Sequence, residues 1–561
     1  MSATAMLTGL LPLVVLIGSA LAVPVSFLLL RLYRNAVQKG MTRSGGGTRS
    51  PEPNGAHRVP LSPLELRSLD GASKPVRRET VSWGHGMARR GPWRTAAVYT
   101  AAGACYALVM TAGWLTATHD RSVGWMKVLL LFWTYLWPAV LGIVLVAAYD
   151  RARRLHLFAA YFLMLLLIMA VAFARNPELG IGALPMYWII LNGPPTVLVL
   201  AFLLRPIRAV GPLVLTFLIV VAIGSQSLLL AASANKGWFR IISEIGFRLG
   251  LGGSAVFAGM ILFGMLAFGL LGWPLLRFLG KRYEQKKLSD QSIMLDALWL
   301  LFGVVQSIGL AFQAPPWILT GLVAFAGFKL VSEFGFRWTL APRRAGEATM
   351  LLQLRVFALG KRSEQLFDKV RTHWQYAGNI SMIAGPDLVT TTVEPHEFLD
   401  FVSGRLGRQF VTDAQDLERR MAILDKAPDP DGRYRISEFF CHVDTWQMTM
   451  ERLAAASDAV LMDVRSFSPA NQGCIFELGR LLDGIDLRRV VLLVDETTDH
   501  RFLEATLQQL WHGLSADSPN QAARSPMVRL FPIDTQSERE LDALLDLLMR
   551  RVPPAVAADA A

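Results

Sequence analysis

Cysteine is scarce: Cys105, Cys441 and Cys474 are the only three in 561 residues. None stands at a metal-ligand spacing from another, and three scattered thiols make no disulfide framework. Cys105 falls in an apolar stretch; the other two suit a reducing compartment. Charge is scarce as well, at 18% of residues against 53% hydrophobic, with a mean hydropathy of +0.37. That balance, over this length, excludes one ordinary soluble domain and points to a membrane protein. The net charge of +12 is not a nucleic-acid signature, because most basic clusters flank apolar stretches. No nucleic-acid partner is expected. No metal site is expected either, since His442 and His500 lack companions at ligand spacing.

Nine apolar stretches are long enough, or nearly so, to span a bilayer: about 7–30, 95–118, 128–148, 155–174, 186–204, 210–232, 251–276, 295–312 and 317–336. The first lacks a basic region before it and is too long for a signal core, so it reads as a retained span with its N-terminus outside. Residues 34–90 carry eleven basic and four acidic side chains, which places that loop inside. Arg151, Arg153 and Arg154, then Arg205 and Arg208, then Lys281, Arg282, Lys286 and Lys287 also come out inside, and Arg337, Arg343 and Arg344 follow the last span. The C-terminal part is then cytoplasmic and the protein a multi-pass component of the cell membrane. The loop at about 34–92 holds Ser44-Gly-Gly-Gly-Thr48 and Pro51-Glu-Pro53, a composition that buries no core and predicts a disordered cytoplasmic segment.

Ionisable residues are nearly missing from the spans, where they usually mark transport. Lys329 and Glu333, four apart in the last span, are placed to pair or to reach the interface. Asn192-Gly193-Pro194-Pro195 interrupts the fifth span, a feature shared by transport sites and ordinary bundles. Trp238, Ile241, Ile242, Ile245 and Leu249 repeat at helical spacing with Arg240, Glu244 and Arg248 opposite, which predicts an amphipathic helix lying in the outer interface.

From about residue 346 the composition becomes that of a soluble α/β domain running to about 555. Strands are expected at 350–358, 379–385, 434–441, 459–462, 490–494 and 527–533. Helices are expected at 364–375, 394–405, 414–424, 444–456, 501–511 and 537–551. Strands alternating with helices imply a parallel sheet covered on both faces, a doubly wound, flavodoxin-like domain of about five strands.

The stretch 458–496 carries the chemistry. An apolar strand ends in Asp463, a polar loop 465–472 follows, and Gly473-Cys474-Ile475-Phe476-Glu477-Leu478-Gly479 opens a helix before the next strand. In parallel sheets ligands bind at the carboxyl ends of the strands, where all these residues fall. A fixed carboxylate at Glu477 suits the positive charge that builds at C1′ when a ribosyl–base bond breaks. Gly473 lets backbone approach a ligand, and its helix start suits phosphate. Asp463 could hold a ribose hydroxyl, Arg465 a phosphate; Asn471 could orient the loop, and Phe467 or Trp446 could stack on a base. Plainer roles stand beside these. A first-turn carboxylate complements the helix dipole, Asn471 or Ser468 can cap, and Arg465 can pair with Asp463 or Glu477. Cys474 reads better as a small buried residue than as a nucleophile.

The motif Gly473-Cys474-Ile475-Phe476-Glu477-Leu478-Gly479 resembles the Gly-Thr-x-x-Glu-apolar-Gly of nucleoside 2-deoxyribosyltransferases, with Cys in place of Thr. Cys474-Ile475-Phe476-Glu477-Leu478 is also similar to the Cys-x-x-Glu-Leu of Toll/interleukin-1 receptor (TIR) domains. The resemblance covers about forty residues well. It implies that Glu477 serves cleavage of an N-glycosidic bond, in a nucleoside or in NAD, with Asp463, Arg465, Asn471, Gly473 and Cys474 around the ligand. There are departures: Ala470 stands where TIR domains often have Ser, and the loop 465–471 is longer and carries its own Arg.

Two classes of function fit these residues. One is a membrane-tethered enzyme that cleaves the N-glycosidic bond of a nucleotide, with NAD or a related molecule as substrate and no other cofactor. The other is a non-catalytic signalling or assembly module. A transporter with a regulatory domain is a third, less favoured. The partners implied are the lipid bilayer, a nucleotide and further copies of the chain.

Overall fold

The computed structural model describes residues 3–43, 62–69, 83–119, 124–147, 151–202, 207–339, 349–355, 361–385, 393–533 and 537–549, apart from 177, 179, 181, 208–209, 425 and 524. The Gly- and Pro-rich runs at 44–48 and 51–53, Arg205, Arg208, Arg343 and Arg344 lie outside the described residues. The chain divides into two units. One is helical: Met1–Tyr33, Pro92–Ala341 and Val393–Val402. The other is α/β: Arg34–Gly91, Pro342–Thr392 and Ser403–Ala561.

Among the described residues, nine helices are long and apolar enough to cross a membrane, matching the nine stretches expected: Ile17–Met41, Arg90–Ala117, Trp125–Val146, Arg151–Arg175, Ala183–Ala201, Gly211–Leu229, Gly253–Glu284, Asp290–Ala311 and Pro316–Thr339. They make the chain compatible with a multi-pass membrane protein. The third is broken at Leu136, between Trp125–Tyr135 and Trp137–Val146. Pro138 has no N–H to donate to the carbonyl of Thr134 four residues back. Asn192 donates its Nδ2 to that carbonyl instead, at 3.2 Å; its own span, expected to be interrupted at 192–195, is one unbroken helix, Ala183–Phe202, with Pro194 and Pro195 inside it. Gln306 Nε2 donates to Asn192 Oδ1 at 2.9 Å, and Tyr106 Oη to Gln306 Oε1 at 2.8 Å. The polar groups at the helix break thus satisfy one another, as an apolar surrounding demands.

Lys329 is engaged differently from the expectation. Its ammonium meets Asp296 Oδ2 of the preceding span at 2.8 Å, which adds Asp296 to the few intramembrane charges. Helices Asp290–Ala311 and Thr320–Thr339 touch backbone to backbone: a Cβ on Gly321 would lie 2.0 Å from the carbonyl oxygen of Gly303, the small-residue contact that draws apolar helices together. The amphipathic segment is the helix Lys236–Arg248, capped by Asn235, whose side chain accepts from the amides of Gly237 and Trp238. Trp238, Ile241, Ile245 and Leu249 are all more than half exposed.

The α/β unit is built on eight parallel strands: β1 (Glu65–Ser68), β2 (Leu351–Arg355), β3 (Ile380–Ile383), β4 (Phe410–Val411), β5 (Ile436–Cys441), β6 (Ala459–Asp463), β7 (Val490–Val494) and β8 (Met527–Pro532), in the order β1-β8-β7-β6-β2-β3-β5-β4. After β1, which ends at one edge, the chain enters the middle of the sheet with β2, builds outward through β3, β4 and β5, then returns to lay β6, β7 and β8 on the other side. Side chains alternate along each strand. Leu352, Leu354, Val460, Met462 and Leu492 pack under the helices Trp446–Ala456, Gln472–Gly484 and His500–Trp511. Leu351, Ala459, Leu461, Val491 and Leu493 pack under Lys361–Trp374 and Glu538–Met549. Both faces are buried, which is why the central strands read as continuous apolar runs.

Among the described residues the sheet has eight strands where about five were expected; six overlap the expected strand ranges, and two additions correct the sequence reading. β4 is two residues long and has no pattern to detect. β1 lies inside the segment expected to be disordered. Its four residues pair with β8 from Glu65–Met527 to Ser68–Leu530. Leu64 is buried beside it, and the Trp511 indole N–H and the Gln508 amide donate to the carbonyls of Ser62 and Leu64. Backbone pairing and two side-chain donors hold a segment whose composition alone would not. The first helix, Ala3–Met41, also runs past the expected stretch 7–30; its end belongs to the α/β unit, where Gly40 faces the Phe410 ring and its carbonyl meets His442 Nδ1 at 2.9 Å.

Candidate functional site

Asp463 and Arg355 are the last residues of the adjacent central strands β6 and β2, and they are register partners. This is where the chain's outward winding changes direction, a position where the loops after neighbouring strands part and leave a crevice. The loop residues 356–360 and 386–392 after β2 and β3 lie outside the described residues, including the start of the loop expected at 359–363.

Asp463 and Arg465 are paired with each other. Arg465 Nε donates to Oδ1 at 2.8 Å and Nη2 to Oδ2 at 2.7 Å, and both side chains are 1% exposed. The Arg465 amide adds a third bond to Oδ1. Burial opposes the guanidinium charge, but the Asp463 hydrogen bonds and charge, with Asp495 beyond, outweigh it and raise the pKa. This pair underpins the loop rather than facing outward. Ser466 follows in a left-handed conformation, φ 57°, and its hydroxyl meets Thr497 Oγ1 at 2.9 Å, tying the loop after β6 to the loop after β7. Asn471 orders the loop as expected: its Oδ1 accepts from both the amide and the hydroxyl of Ser468, each at 2.9 Å, and it gives the helix no side-chain cap. Phe467 is 1% exposed with its ring 5.2 Å from that of Phe502, a core residue and not a stacking platform. Trp446 packs edge-on against Phe476.

The helix Gln472–Gly484 begins with Gly473 in the open: a Cβ there would meet nothing within 4 Å. Its first-turn position is one where helix amides lack intrahelical partners. Cys474 turns inward. It is 3% exposed, its thiol donates to the Arg355 carbonyl at 3.8 Å, and burial, with the charges of Glu477 and Asp463, pushes its pKa up to about 12. It is a packed thiol, not a poised nucleophile.

Glu477 lies one turn further in, 3% exposed. Its Oε2 has no hydrogen-bond partner among the described residues. Burial raises its pKa to about 8, and the charge of Arg355 acts in the opposite direction. A carboxyl group buried without a partner costs free energy that a ligand can recover. Such a group, held on a rigid helix at the carboxyl edge of a parallel sheet, can accept a proton, stabilise a nearby cation, or bond a hydroxyl.

The structure thus gathers Asp463, Arg465, Asn471, Gly473, Cys474 and Glu477 into one region, with Asp463, Arg465 and Cys474 as its buried support. Sequence reasoning missed Arg355 and Asp495. Arg355 had a visible signal, a cation closing the apolar run Leu351–Arg355; Asp495 had none, since acidic residues after strands are common. Elsewhere, Glu394, His396 and Glu397 bring potential metal-ligand atoms within 4.8 Å of one another. Glu397 Oε2 accepts from the Glu394 amide at 3.0 Å at the start of the helix Pro395–Val402, and His396 pairs with Glu394 at 3.3 Å. Comparison of the chain with models of known protein families, with curated proteins and with solved structures finds no match.

Proposed function

We propose that the α/β unit is a nucleotide-binding, N-glycosidic-bond-cleaving effector domain of the deoxyribosyltransferase/TIR-like type, tethered by the helical unit to the cytoplasmic face of a membrane. The observation that carries this reading is the buried carboxyl of Glu477, whose Oε2 has no hydrogen-bond partner among the described residues, at the carboxyl ends of β2 and β6. The strand order β3-β2-β6-β7-β8, with two helices on one face and three on the other, fits the flavodoxin-like pattern. The alternation of basic clusters along the apolar stretches supports the cytoplasmic placement.

In this reading the base and ribose enter from the open side of Gly473. The C1′–N bond breaks and its electron pair leaves with the base. The Glu477 carboxylate, stripped of water, stabilises the cation left at C1′. A water molecule then adds its oxygen to C1′; its proton ends on the departing base of a nucleoside, or in solvent when the leaving group is the neutral nicotinamide of NAD. Arg355 favours the ionised form of Glu477. Asp463 and Arg465 hold the loop's shape, and the first-turn amides near Gly473 take a phosphate.

A second reading, a non-catalytic module that binds a nucleotide or assembles through this fold, is favoured by one specific observation. Asp463 and Arg465 are buried and bonded to each other through both carboxylate oxygens, so the polar groups expected to grip ribose and phosphate are engaged within the protein. In the helical unit Asn192, Gln306 and Tyr106 bond one another and Lys329 pairs with Asp296, which suits an anchor better than a transport path.

Hydrogen exchange of the full chain in detergent, with and without NAD or mononucleotides, tests the binding claim shared by both readings. Amides of residues 466–484 should gain protection with at least one nucleotide. Unchanged exchange across the panel at millimolar concentration would remove the nucleotide site.

A further inference from the structure

Within the helical unit, Trp83–Ala117 and Thr320–Thr339 pack side by side. A Cβ on Gly335 would lie 2.6 Å from Val98, Tyr99 meets Phe336 edge-on at 5.0 Å, and Gly327 faces the Cys105 sulfur. Along this seam runs a groove of about 440 Å³, lined by Ala97, Val98 and Ala101 of one helix and Val331 and Gly335 of the other. That size falls in the range of about 300–1,000 Å³ typical of small-molecule sites. Ala97 and Ala101 are exposed, so the groove opens sideways to whatever surrounds the two helices. The residues that create it are small ones, where exposed positions elsewhere in the bundle carry Leu, Ile and Phe.

One end of the groove is polar. Arg94 and Thr339 line it there. Arg90 and Arg337 lie at the same ends of the two spans, and Trp93 and Trp338 are 44% and 89% exposed beside them. Exposed indoles and arginines at the ends of apolar helices mark the headgroup level of a bilayer. At hydrocarbon depth an apolar slot stays dry. What fills it is a lipid chain or another protein, and a helix from a second copy would have to bury the Arg94 charge in the seam.

We propose that this groove is a binding site for an anionic glycerophospholipid, with an acyl chain lying along Ala97, Ala101 and Val331 and the phosphate held by Arg94. A guanidinium has five N–H donors, enough to hold a phosphate together with a contact to protein. Cationic pockets between membrane helices are suited to anionic headgroups.

Native mass spectrometry of the full chain, exchanged into micelles with equal phosphatidylglycerol and phosphatidylcholine, tests this. Wild type should retain phosphatidylglycerol about fivefold over phosphatidylcholine, the order expected of one basic residue at an anionic headgroup. Arg94→Gln should bring the ratio near one while keeping a bound lipid. Ala101→Phe, which fills the slot from an exposed position, should lose the lipid. The thermal midpoint of wild type should rise with added phosphatidylglycerol and those of the variants should not. Equal retention of both lipids by wild type, or a preference unchanged in both variants, would overturn the proposal. A dimer that Ala101→Phe converts to monomer without change in bound lipid would overturn it in favour of a second copy as occupant.

Discussion

Arg355 and Asp463 stand opposite one another at the carboxyl ends of adjacent parallel strands, and the helix that follows Asp463 brings Glu477 within the electrostatic reach of Arg355. Two strands and one helix therefore assemble the charged groups of the candidate site from segments more than a hundred residues apart in sequence. Each has a different role. Arg355 supplies positive charge, Asp463 anchors Arg465, and Glu477 presents a buried carboxyl whose Oε2 has no hydrogen-bond partner among the described residues.

Glu477 makes local stability depend on pH. Its folded pKa of about 8 lies above the ordinary value of 4.5, so the folded chain keeps a proton that the unfolded chain releases across that interval. Its contribution is fully present below 4.5 and declines as the pH rises to about 8. Hydrogen exchange of residues 472–484, corrected for intrinsic rates, should show an opening free energy that falls by a few kcal/mol, at about 1.4 kcal/mol per pKa unit. Glu477→Gln should flatten this dependence. Arg355→Met removes a charge that lowers the pKa, so the decline should extend to higher pH. A wild-type profile flat between about pH 5 and 8.5 would contradict the buried, neutral carboxyl.

The Asp463–Arg465 pair is buried, so breaking one side should be costly. Asp463→Asn or Arg465→Met should each destabilise the α/β unit by about 3–5 kcal/mol, because the remaining charge loses its partner away from water. Thermal melts of the purified chain, read from the α/β unit's own exchange or proteolysis, measure this. Losses within about 0.5 kcal/mol would show that the loop readily re-solvates.

In the helical unit, Asn192→Leu removes the donor that serves Thr134 and the acceptor that serves Gln306. A destabilisation of roughly 1–2 kcal/mol is expected, the scale of polar contacts between membrane helices. Thermal aggregation in detergent reads it. A neutral or stabilising result would mean that the break at Pro138 does not depend on Asn192.

Deleting residues 62–69 should harm the α/β unit, in contrast to what the composition of the surrounding loop suggests. It uncovers the edge of β8 and strips Trp511 and Gln508 of their acceptors. Aggregation of the purified chain should increase, as for any bared strand edge. An unaltered monodisperse sample would demote β1 to a passive contact.

Much of this architecture could be read beforehand. Nine apolar stretches, the helix Lys236–Arg248 and the central strands all follow from periodicity and length, because burial on both faces leaves a continuous apolar run. β7 matches its expected limits, 490–494. What escaped notice depends on contacts between distant segments. β1 has four residues and β4 two, too few for any pattern. Lys329 finds Asp296 on a neighbouring helix and not Glu333 on its own. At the candidate site, Glu477 and its loop stood out as a motif, yet the closure of Arg465 on Asp463 and the nearness of Arg355 arise only when β2 and β6 lie side by side. The burial that lifts the Glu477 pKa is likewise a property of the packed helix, and Glu477 lies beyond the first turn in which the sequence reading set its plainer role.

Orientation is open to a direct check. With basic residues concentrated in alternate turns, a reporter that is active only outside the cytoplasm should stay silent when fused after Ala561. Strong activity from that fusion would reverse the proposed topology and remove the α/β unit from the nucleotide pool.

The most direct measurement is release of free base by the purified full chain from a panel of nucleosides, mononucleotides and NAD, with wild type and Glu477→Gln compared under conditions where both are folded. Wild type should release base from at least one member. The variant should be slower by roughly a hundredfold or more, about 3 kcal/mol of lost transition-state stabilisation. Wild-type kcat/KM should rise with pH through about 8, as Glu477 ionises. Release undiminished in Glu477→Gln, or no release by a folded wild-type chain that binds nucleotide, would contradict the catalytic assignment.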